Sequence, residues 1–516
     1  MSAEPKDPGP SRFPVALVGA GPGDAALMTR RSLELIAEAD VIFHDRLIPA
    51  EALDGARPDA ELVYVGKEAG RPGLGQEEIN RRLVEAGAAG KRVVRLKGGD
   101  PFLFGRGAEE AEALREAGLE FEVVPGVTAG IAASAYAGIP VTHRGVAAAV
   151  TFATGHEDPA KPGSDLDLER LARTPGTIVF YMGLTRLAAN AEALVRGGRS
   201  ADEPAAVIEN GTLPSQRVVA ATLGTIASRV EEEGLRPPAL VVVGEVAGER
   251  ERLAWFEDRP LFGRSVVVTR ARDRVSNLAA RIRAQGGTVV ELPVSRTEPV
   301  AADDETLAGA LDGFAAEGFD LVCFTSPAGV ASFFERLGER GLDARAFAGA
   351  ELAAIGPSTA RALADRGLNA DHLPERFVSE GMLKALEKVP MEGRSVLMAR
   401  ALEGRELLPE TLRARGAEVV VAPVYRTVPE RPADDSLARA SEADFITFTS
   451  ASSVHNLLRT GAVDPGRFAP RVVTIGPVTS EAAREAGFEV AAEAARHDLD
   501  GLVETLREQA GAGSSP

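Results

Sequence analysis

Short β-branched runs ending in glycine alternate along the chain with stretches whose apolar positions recur every three to four residues. VALVGAG from Val15 leads into a helical pattern over 30–39, and VIFHD follows at once. This alternation of strand-like and helix-like segments predicts an α/β fold. The pattern shifts after PPALVVVGEV (237–246), where a charged segment, 249–252, leads through LAWFEDRPLFG to a new strand, SVVVTR from Ser265. A domain boundary is therefore expected near 257–260. Trp255 and Phe256 are expected to pack against the preceding domain, since large aromatic side chains are seldom left bare in a linker.

Beyond this boundary the chain repeats itself. SVVVTRARDRVSNLAARIRAQGGTVVELPVSRTEP from Ser265 matches SVLMARALEGRELLPETLRARGAEVVVAPVYRTVP from Ser395, an offset of 130 residues. FDLVCFTSPAGV from Phe319 answers ADFITFTSASSV from Ala443, and IGPST from Ile355 answers IGPVT from Ile475. Each unit reads as strand, helix, strand, then a strand ending in Thr-Ser, then a strand ending in Gly-Pro with a helix start, so two similar α/β domains are expected. The Thr-Ser and Gly-Pro-x-Thr loops stand where strands hand over to helices, the usual ligand-facing edge of such sheets. Helix capping accounts for each of these loops taken singly.

A length of 516 residues implies three to four folding units, and 45% hydrophobic with 26% charged residues is ordinary globular composition. The net charge of −18 disfavours nucleic acid or an anionic membrane as a partner. Cys323 is the only cysteine and there are six histidines, which excludes disulfide frameworks and cysteine-rich zinc sites within one chain. No metal site is expected, and a cytoplasmic location fits. Residues 1–13, rich in proline and without an apolar core, are expected to be a disordered tail rather than a signal peptide, and residues 511–516 a second tail. No apolar run is long enough to span a bilayer. Only seven of the 58 basic residues are lysine. Lys67 and Lys97, both beside glycines, stand out because lysine can give up a proton when buried and arginine cannot.

Three loops carry the candidate chemistry of the first half. GAGPGD (19–24) follows a strand like a dinucleotide fingerprint, but Asp24 replaces the third glycine and Pro22 stiffens the loop. RLKGGDPFLFGRG (95–107) has paired glycines that let backbone approach a ligand, with Asp100 available for polar contacts. VVPGVTAGIAASAYAGIPVTHR (123–144) puts Thr128 at a strand-to-helix junction before a helix of small residues, which either pack closely or clear space for a flat ligand.

With DRL at Asp45, VGK at Val65, QEEIN at Gln76, YMG at Tyr181 and VIENGTLPSQR at Val207, these strings resemble the tetrapyrrole methylase family over about residues 14–256, and within it the uroporphyrinogen-III C-methyltransferases. The resemblance implies two α/β subdomains with S-adenosylmethionine in the cleft, generally as a homodimer. Matched by position, it implies that Pro22, Gly98, Gly99, Asp100, Leu103, Thr128, Ala129, Met182 and Gly211 surround the cofactor. It also implies that Asp45 and Lys67 form an acid/base pair; the alternative for Asp45 is a strand-end carboxylate paired with Arg46.

The duplicated loops and PVYRT at Pro423 resemble the uroporphyrinogen-III synthase family over about residues 261–510, with 257–260 as linker. That resemblance implies two α/β domains joined by a double crossing, here 263–297 with 428–510, and 298–427. It implies cyclisation of hydroxymethylbilane with inversion of the last pyrrole ring. Tyr425 is the candidate proton donor, since Ser295 stands at the equivalent place in the first repeat; packing on a strand end is its alternative. Thr325, Ser326, Thr359, Thr449, Ser450 and Thr479 are candidate donors to substrate carboxylates, and Arg270 and Arg400, at one repeat position, are candidates for charge-assisted bonds. The combined expectation is a bifunctional enzyme of sirohaem and cobalamin synthesis that makes uroporphyrinogen III and methylates it at C2 and C7 to precorrin-2. Its rivals are a fused methylase of a later precorrin, and a methyltransferase with a non-catalytic tetrapyrrole-binding second half.

Overall fold

The computed structural model describes residues 13–66, 74–156, 166–269, 276–301, 303–316 and 318–512, so Lys67 and Arg270 lie outside the described residues. The chain divides into two compact units, Met1–Arg264 with Arg283–Thr288, and Ser265–Ile282 with Val289–Pro516.

The first unit holds two five-stranded sheets. The first is parallel, in the order Glu61–Tyr64, Val41–His44, Val93–Lys97, Val15–Gly19, Phe121–Val124. Val15–Gly19 and Val93–Lys97 are buried along their whole length, as expected of inner strands covered on both faces. The expected helix over 30–39 forms as Arg30–Glu38, capped by Thr29, whose hydroxyl accepts from the Ser32 amide. From Val15–Gly19 the chain moves toward Val41–His44, whereas from Val93–Lys97 it moves the other way, to Phe121–Val124. These two neighbouring strands therefore define a topological switch point, and the crevice beyond their carboxyl ends is where open α/β sheets bind ligands. The loops at 19–24 and 98–107 both start there.

The second sheet is mixed, in the order Val150–Thr154, Thr177–Tyr181, Ala239–Val243, Pro204–Glu209, Arg217–Thr222, with only the first pair parallel. The small-residue helix Ala129–Tyr136 packs on it through Ala133. Phe256 is buried against Tyr136, with ring centroids 4.8 Å apart, while Trp255 remains partly exposed and donates its indole N–H to the Ala135 carbonyl at 2.9 Å.

In the second unit the repeats exchange halves. One sheet runs Thr288–Glu291, Ser265–Val268, Phe445–Phe448, Arg471–Thr474, Val490–Glu493, parallel from its second strand to its last; the other is mixed and runs Ser295–Pro299, Glu418–Pro429, Ser395–Ala401, Leu321–Phe324, Glu351–Ala354. Each sheet thus takes the opening strands of one repeat and the closing strands of the other. The exchange is made by Ser295–Pro299 and the far end of Glu418–Pro429, which pair antiparallel with Thr297 opposite Thr427. Ser295 and Tyr425 consequently lie in one ladder rather than at matching places in separate sheets. Phe314, Phe324, Phe333 and Phe347 form an aromatic core on the second of these sheets, with Phe314 and Phe333 edge to face at 5.3 Å.

Candidate active sites

At the switch point four glycines, Gly19, Gly21, Gly99 and Gly126, meet at backbone distance. Gly21 and Gly99 form a bridge, each donating its N–H to the other's carbonyl at 3.2 and 2.6 Å. A Cβ on Gly19 would lie 2.5 Å from Gly126 Cα, and one on Gly126 only 2.1 Å from the Gly99 carbonyl oxygen, so neither position accepts a side chain. Asp100 locks the crossing: one carboxylate oxygen accepts from the Phe102 and Leu103 amides at 2.9 and 3.1 Å, the other from the Gly126 amide at 3.1 Å. Gly99 itself has φ +68°, and the space where its Cβ would stand is open, with nothing nearer than Ala129 N and Thr128 Cα at 3.9 Å. Gly98 abuts Leu47, and Pro22 is half-buried between Gly21 and Gly23.

Thr128 caps Ala129–Tyr136 by position but not through its side chain, which instead meets the Tyr181 hydroxyl at 2.5 Å. The same tyrosine oxygen accepts from the Gly130 amide at 2.7 Å, and burial pushes its pKa up. Gly211 touches Ala133 of this helix. The neighbouring Thr212 accepts from the Asp24 amide at 3.0 Å, and Tyr136 donates its hydroxyl to the Asp24 carboxylate at 2.8 Å. Asp24 is therefore a fastening point between the two sheets, which is why the fingerprint's third glycine is replaced. Among the described residues, five non-glycines have left-handed φ: Phe104, Arg106, Met182, Asn210 and Thr212, at +50° to +72°. Phe104 and Arg106 lie in the 98–107 loop, Met182 directly follows strand Thr177–Tyr181, and Asn210 and Thr212 follow strand Pro204–Glu209. Left-handed backbone costs about 1–2 kcal/mol per residue, and such strain concentrates where a ligand must be met.

Asp45 follows strand Val41–His44, and its carboxylate is not paired with Arg46 as the local alternative supposed. Its partner is Arg95, whose Nη2 donates to both carboxylate oxygens at 2.9 and 3.0 Å. Arg95 and Lys97 point to one face of their inner strand because side chains alternate with period two. Both are buried, at 2% and 3% exposure, against the fully buried Glu110 of helix Gly107–Glu116. One Glu110 oxygen accepts from Arg95 Nε at 3.0 Å, Lys97 Nζ at 2.8 Å and Gln76 Nε2 at 3.2 Å; the other has no partner. Burial, reinforced by Arg95, pushes the Lys97 pKa down. Burial also opposes the charge of Arg95, but Glu110 and Asp45 outweigh it and hold that pKa up.

In the second unit Tyr425 is 5% exposed within the aromatic core, and its hydroxyl lies 2.9 Å from Ser326 Oγ. Ser326 caps helix Pro327–Glu339 by accepting from the Gly329 amide at 2.9 Å. Ser450 caps Ala451–Arg459 in the same way, and Thr325 and Thr449 beside these caps are half-buried. Thr359 and Thr479 are buried in the first turns of Pro357–Ala364 and Pro477–Glu485. Gly476 lies under the His497 ring, and a Cβ there would meet it at 3.1 Å. Arg400 donates Nη1 to the Arg405 carbonyl at 2.7 Å and Nη2 to Glu406, leaving a buried Nε without a partner.

The tetrapyrrole (corrin/porphyrin) methylase family matches residues 14–227, and the uroporphyrinogen-III synthase HemD family matches 276–504. A porphyrin biosynthesis protein HemD from Ruminiclostridium josui is 37% identical over 503 residues, covering 96% of this chain and 98% of that one. The chain belongs to this family of fused tetrapyrrole methylases and HemD synthases. The methylase half alone is 51% identical over 251 residues to a siroheme synthase from Stutzerimonas stutzeri, covering 48% of this chain; the match takes in 53% of that relative, about half its length. It is also 42% identical to a uroporphyrin-III C-methyl transferase from Thermus thermophilus solved with S-adenyl homocysteine, covering 46% of this chain and 99% of that one with a TM-score of 0.39.

In the methylase half, hydrogen bonds and close contacts link the neighbourhoods of all nine residues expected around a cofactor, and Asp45 joins them through the strand that ends in Lys97. Sequence reasoning did not select Gly19, Gly126, Tyr181, Arg95 or Glu110. Arg95 and Lys97 did carry a signal: two cations on one face of an otherwise aliphatic run are costly inside a sheet unless something neutral or anionic meets them. In the synthase half, Ser326 and Tyr425 come together, whereas Thr359 and Thr479 turn their side chains into the protein.

Proposed function

We propose that residues 14–256 form a uroporphyrinogen-III C-methyltransferase and residues 261–510 a uroporphyrinogen-III synthase, with 257–260 between them. The synthase half closes hydroxymethylbilane, releasing water and inverting the last ring. The methylase half transfers methyl groups to C2 and C7 of the product, giving precorrin-2. The chain works in the cytoplasm and pairs as a homodimer through its methylase half. The observation that carries this reading is the glycine crossing beside Asp45 in the half that matches the methylases.

The residues at the crossing fit S-adenosylmethionine. The loops at 19–24 and 98–105 contain no basic residue, so they suit a sulfonium cation better than a pyrophosphate, and Asp100 supplies a carboxylate. Phe102 and Phe104 on the second of these loops, and Met182 just after strand Thr177–Tyr181, are exposed apolar groups suited to covering an adenosine ring. When bound, S-adenosylmethionine supplies an electrophilic methyl group. Gly98, Gly99, Thr128, Ala129, Met182 and Gly211 hold it, with Pro22 and Leu103 closing the sides. A ring carbon forms the new C–C bond as the C–S bond breaks, and the ring then loses a proton, for which Asp45 and Lys67 are the acceptor and its partner. Orientation is the larger contribution: it is worth about 7–11 kcal/mol, against about a hundred- to ten-thousand-fold for a positioned base.

In the synthase half, the hydroxyl pair of Tyr425 and Ser326 supplies the proton to the departing hydroxyl. Arg270, Arg400 and the Thr-Ser and Gly-Pro-x-Thr loops bind substrate carboxylates, with Thr359 and Thr479 contributing through their helix-start backbone. Incubation with hydroxymethylbilane and S-adenosylmethionine, followed by product mass and isomer analysis, tests both halves. Isomer III carrying two added methyl groups is expected; isomer I or an unmethylated product rejects the corresponding half.

A further inference from the structure

The methylase half buries two cations and one anion that the chemistry above does not use. Burying an ion costs several kcal/mol unless it is paired, so Arg95, Lys97 and Glu110 are expensive to keep behind the crossing. Their arrangement is directional. Glu110 is fully buried and bonds Arg95 through Nε, Lys97 through Nζ and Gln76 through Nε2. Arg95 Nη1 donates to its neighbour's carbonyl, at Leu96, at 3.1 Å. Only Nη2 points outward, and it carries both oxygens of Asp45, whose side chain is 29% exposed, against 3% for that of Arg95. Asp45 is thus the one charged member of the network that reaches solvent. A planar guanidinium held at Nε and Nη1 cannot turn, so the carboxylate it grips has a fixed direction.

We propose that Arg95 is a positioning residue for methyl transfer, with Glu110 and Lys97 as its buried support, and that it acts by aiming the Asp45 carboxylate. This inference rests on the assignment of Asp45 to proton handling. Gly98 follows the same strand and abuts Leu47 of the Asp45 loop, so the strand that aims the carboxylate also sets the first cofactor glycine.

The test is a double-mutant cycle on the full chain, with kcat and KM for methyl transfer and S-adenosylmethionine affinity measured separately. Arg95→Lys keeps the charge but loses the fork. It is expected to lower kcat about tenfold or more with cofactor affinity within about twofold. In the Asp45→Asn background the same change is expected to cost less than about twofold further, because residues acting as a unit are not additive. A merely structural Arg95 would cost the same in both backgrounds, and that result overturns the inference while leaving Asp45 in its role. If Asp45→Asn itself leaves kcat unchanged, the assignment of Asp45 fails and this inference with it. Should Arg95→Lys not fold, Asp45→Glu decides, since the partly exposed site tolerates it: the extra methylene moves the carboxylate off the guanidinium. Loss as deep as in Asp45→Asn supports aiming, and full activity overturns it.

Discussion

Replacing Gly126 by alanine places a methyl group 2.1 Å from the Gly99 carbonyl oxygen and 2.9 Å from Gly19 Cα. Both neighbours are backbone, so no side chain can swing aside. The Gly99 carbonyl must retreat by more than about 1 Å to reach ordinary contact, and it takes with it the Gly21 bridge and the open space beside Ala129. Overpacking of this kind costs about 1–3 kcal/mol, and a 1 Å displacement of a binding element costs up to about a hundredfold in rate. We expect Gly126→Ala to weaken S-adenosylmethionine binding at least tenfold, about 1.4 kcal/mol, as read by titration calorimetry. Gly118 is the control. It precedes the same strand, Phe121–Val124, at its other end, has φ +71°, and a Cβ there meets nothing within 4 Å. Gly118→Ala should therefore cost about 1 kcal/mol of stability through backbone strain, with cofactor affinity within about twofold. Cofactor affinity unchanged in a folded Gly126→Ala protein would refute the claim that the crossing builds the cofactor site.

Three further outcomes are expected. Tyr425→Phe keeps the aromatic packing but loses the contact with Ser326 Oγ, costing about 1 kcal/mol of stability; enzymatic closure slows and chromatography shows a larger share of isomer I, whereas an unchanged rate and ratio would mean that the tyrosine only packs. Glu406→Gln frees the Arg400 guanidinium for a substrate carboxylate and lowers KM for hydroxymethylbilane, while Arg400→Met raises it about tenfold; opposite changes would remove Arg400 from substrate binding. His44 has a pKa below its ordinary 6.5, chiefly through burial and with Arg95 adding to the fall against the pull of Asp45. The unfolded chain therefore takes up a proton at higher pH than the folded one, so stability is lost as pH falls through 6.5 toward the folded value. Urea midpoints between about pH 7.5 and 5.5 should show this slope, and His44→Gln should flatten it.

The sequence by itself determined the element types, because each is a local pattern: β-branched apolar runs ending in glycine for the strands, and apolar recurrence every three to four residues for helix Arg30–Glu38. It also exposed the 130-residue repeat and the glycine loops, since close backbone approach leaves no residue choice but glycine. Tertiary structure alone decided who meets whom. Arg95 finds Asp45 fifty positions away only because Val93–Lys97 sits beside Val41–His44 in the sheet, an order that no local propensity encodes. The exchange of halves between the repeats, expected from the family resemblance, is made in the fold by Ser295–Pro299 pairing antiparallel with Glu418–Pro429, a register that the repeat pattern alone does not specify. Thr359 and Thr479 show the same limit. Their motif puts them at helix starts, but whether a side chain in a first turn faces ligand or core depends on how the helix packs, and here both face the core.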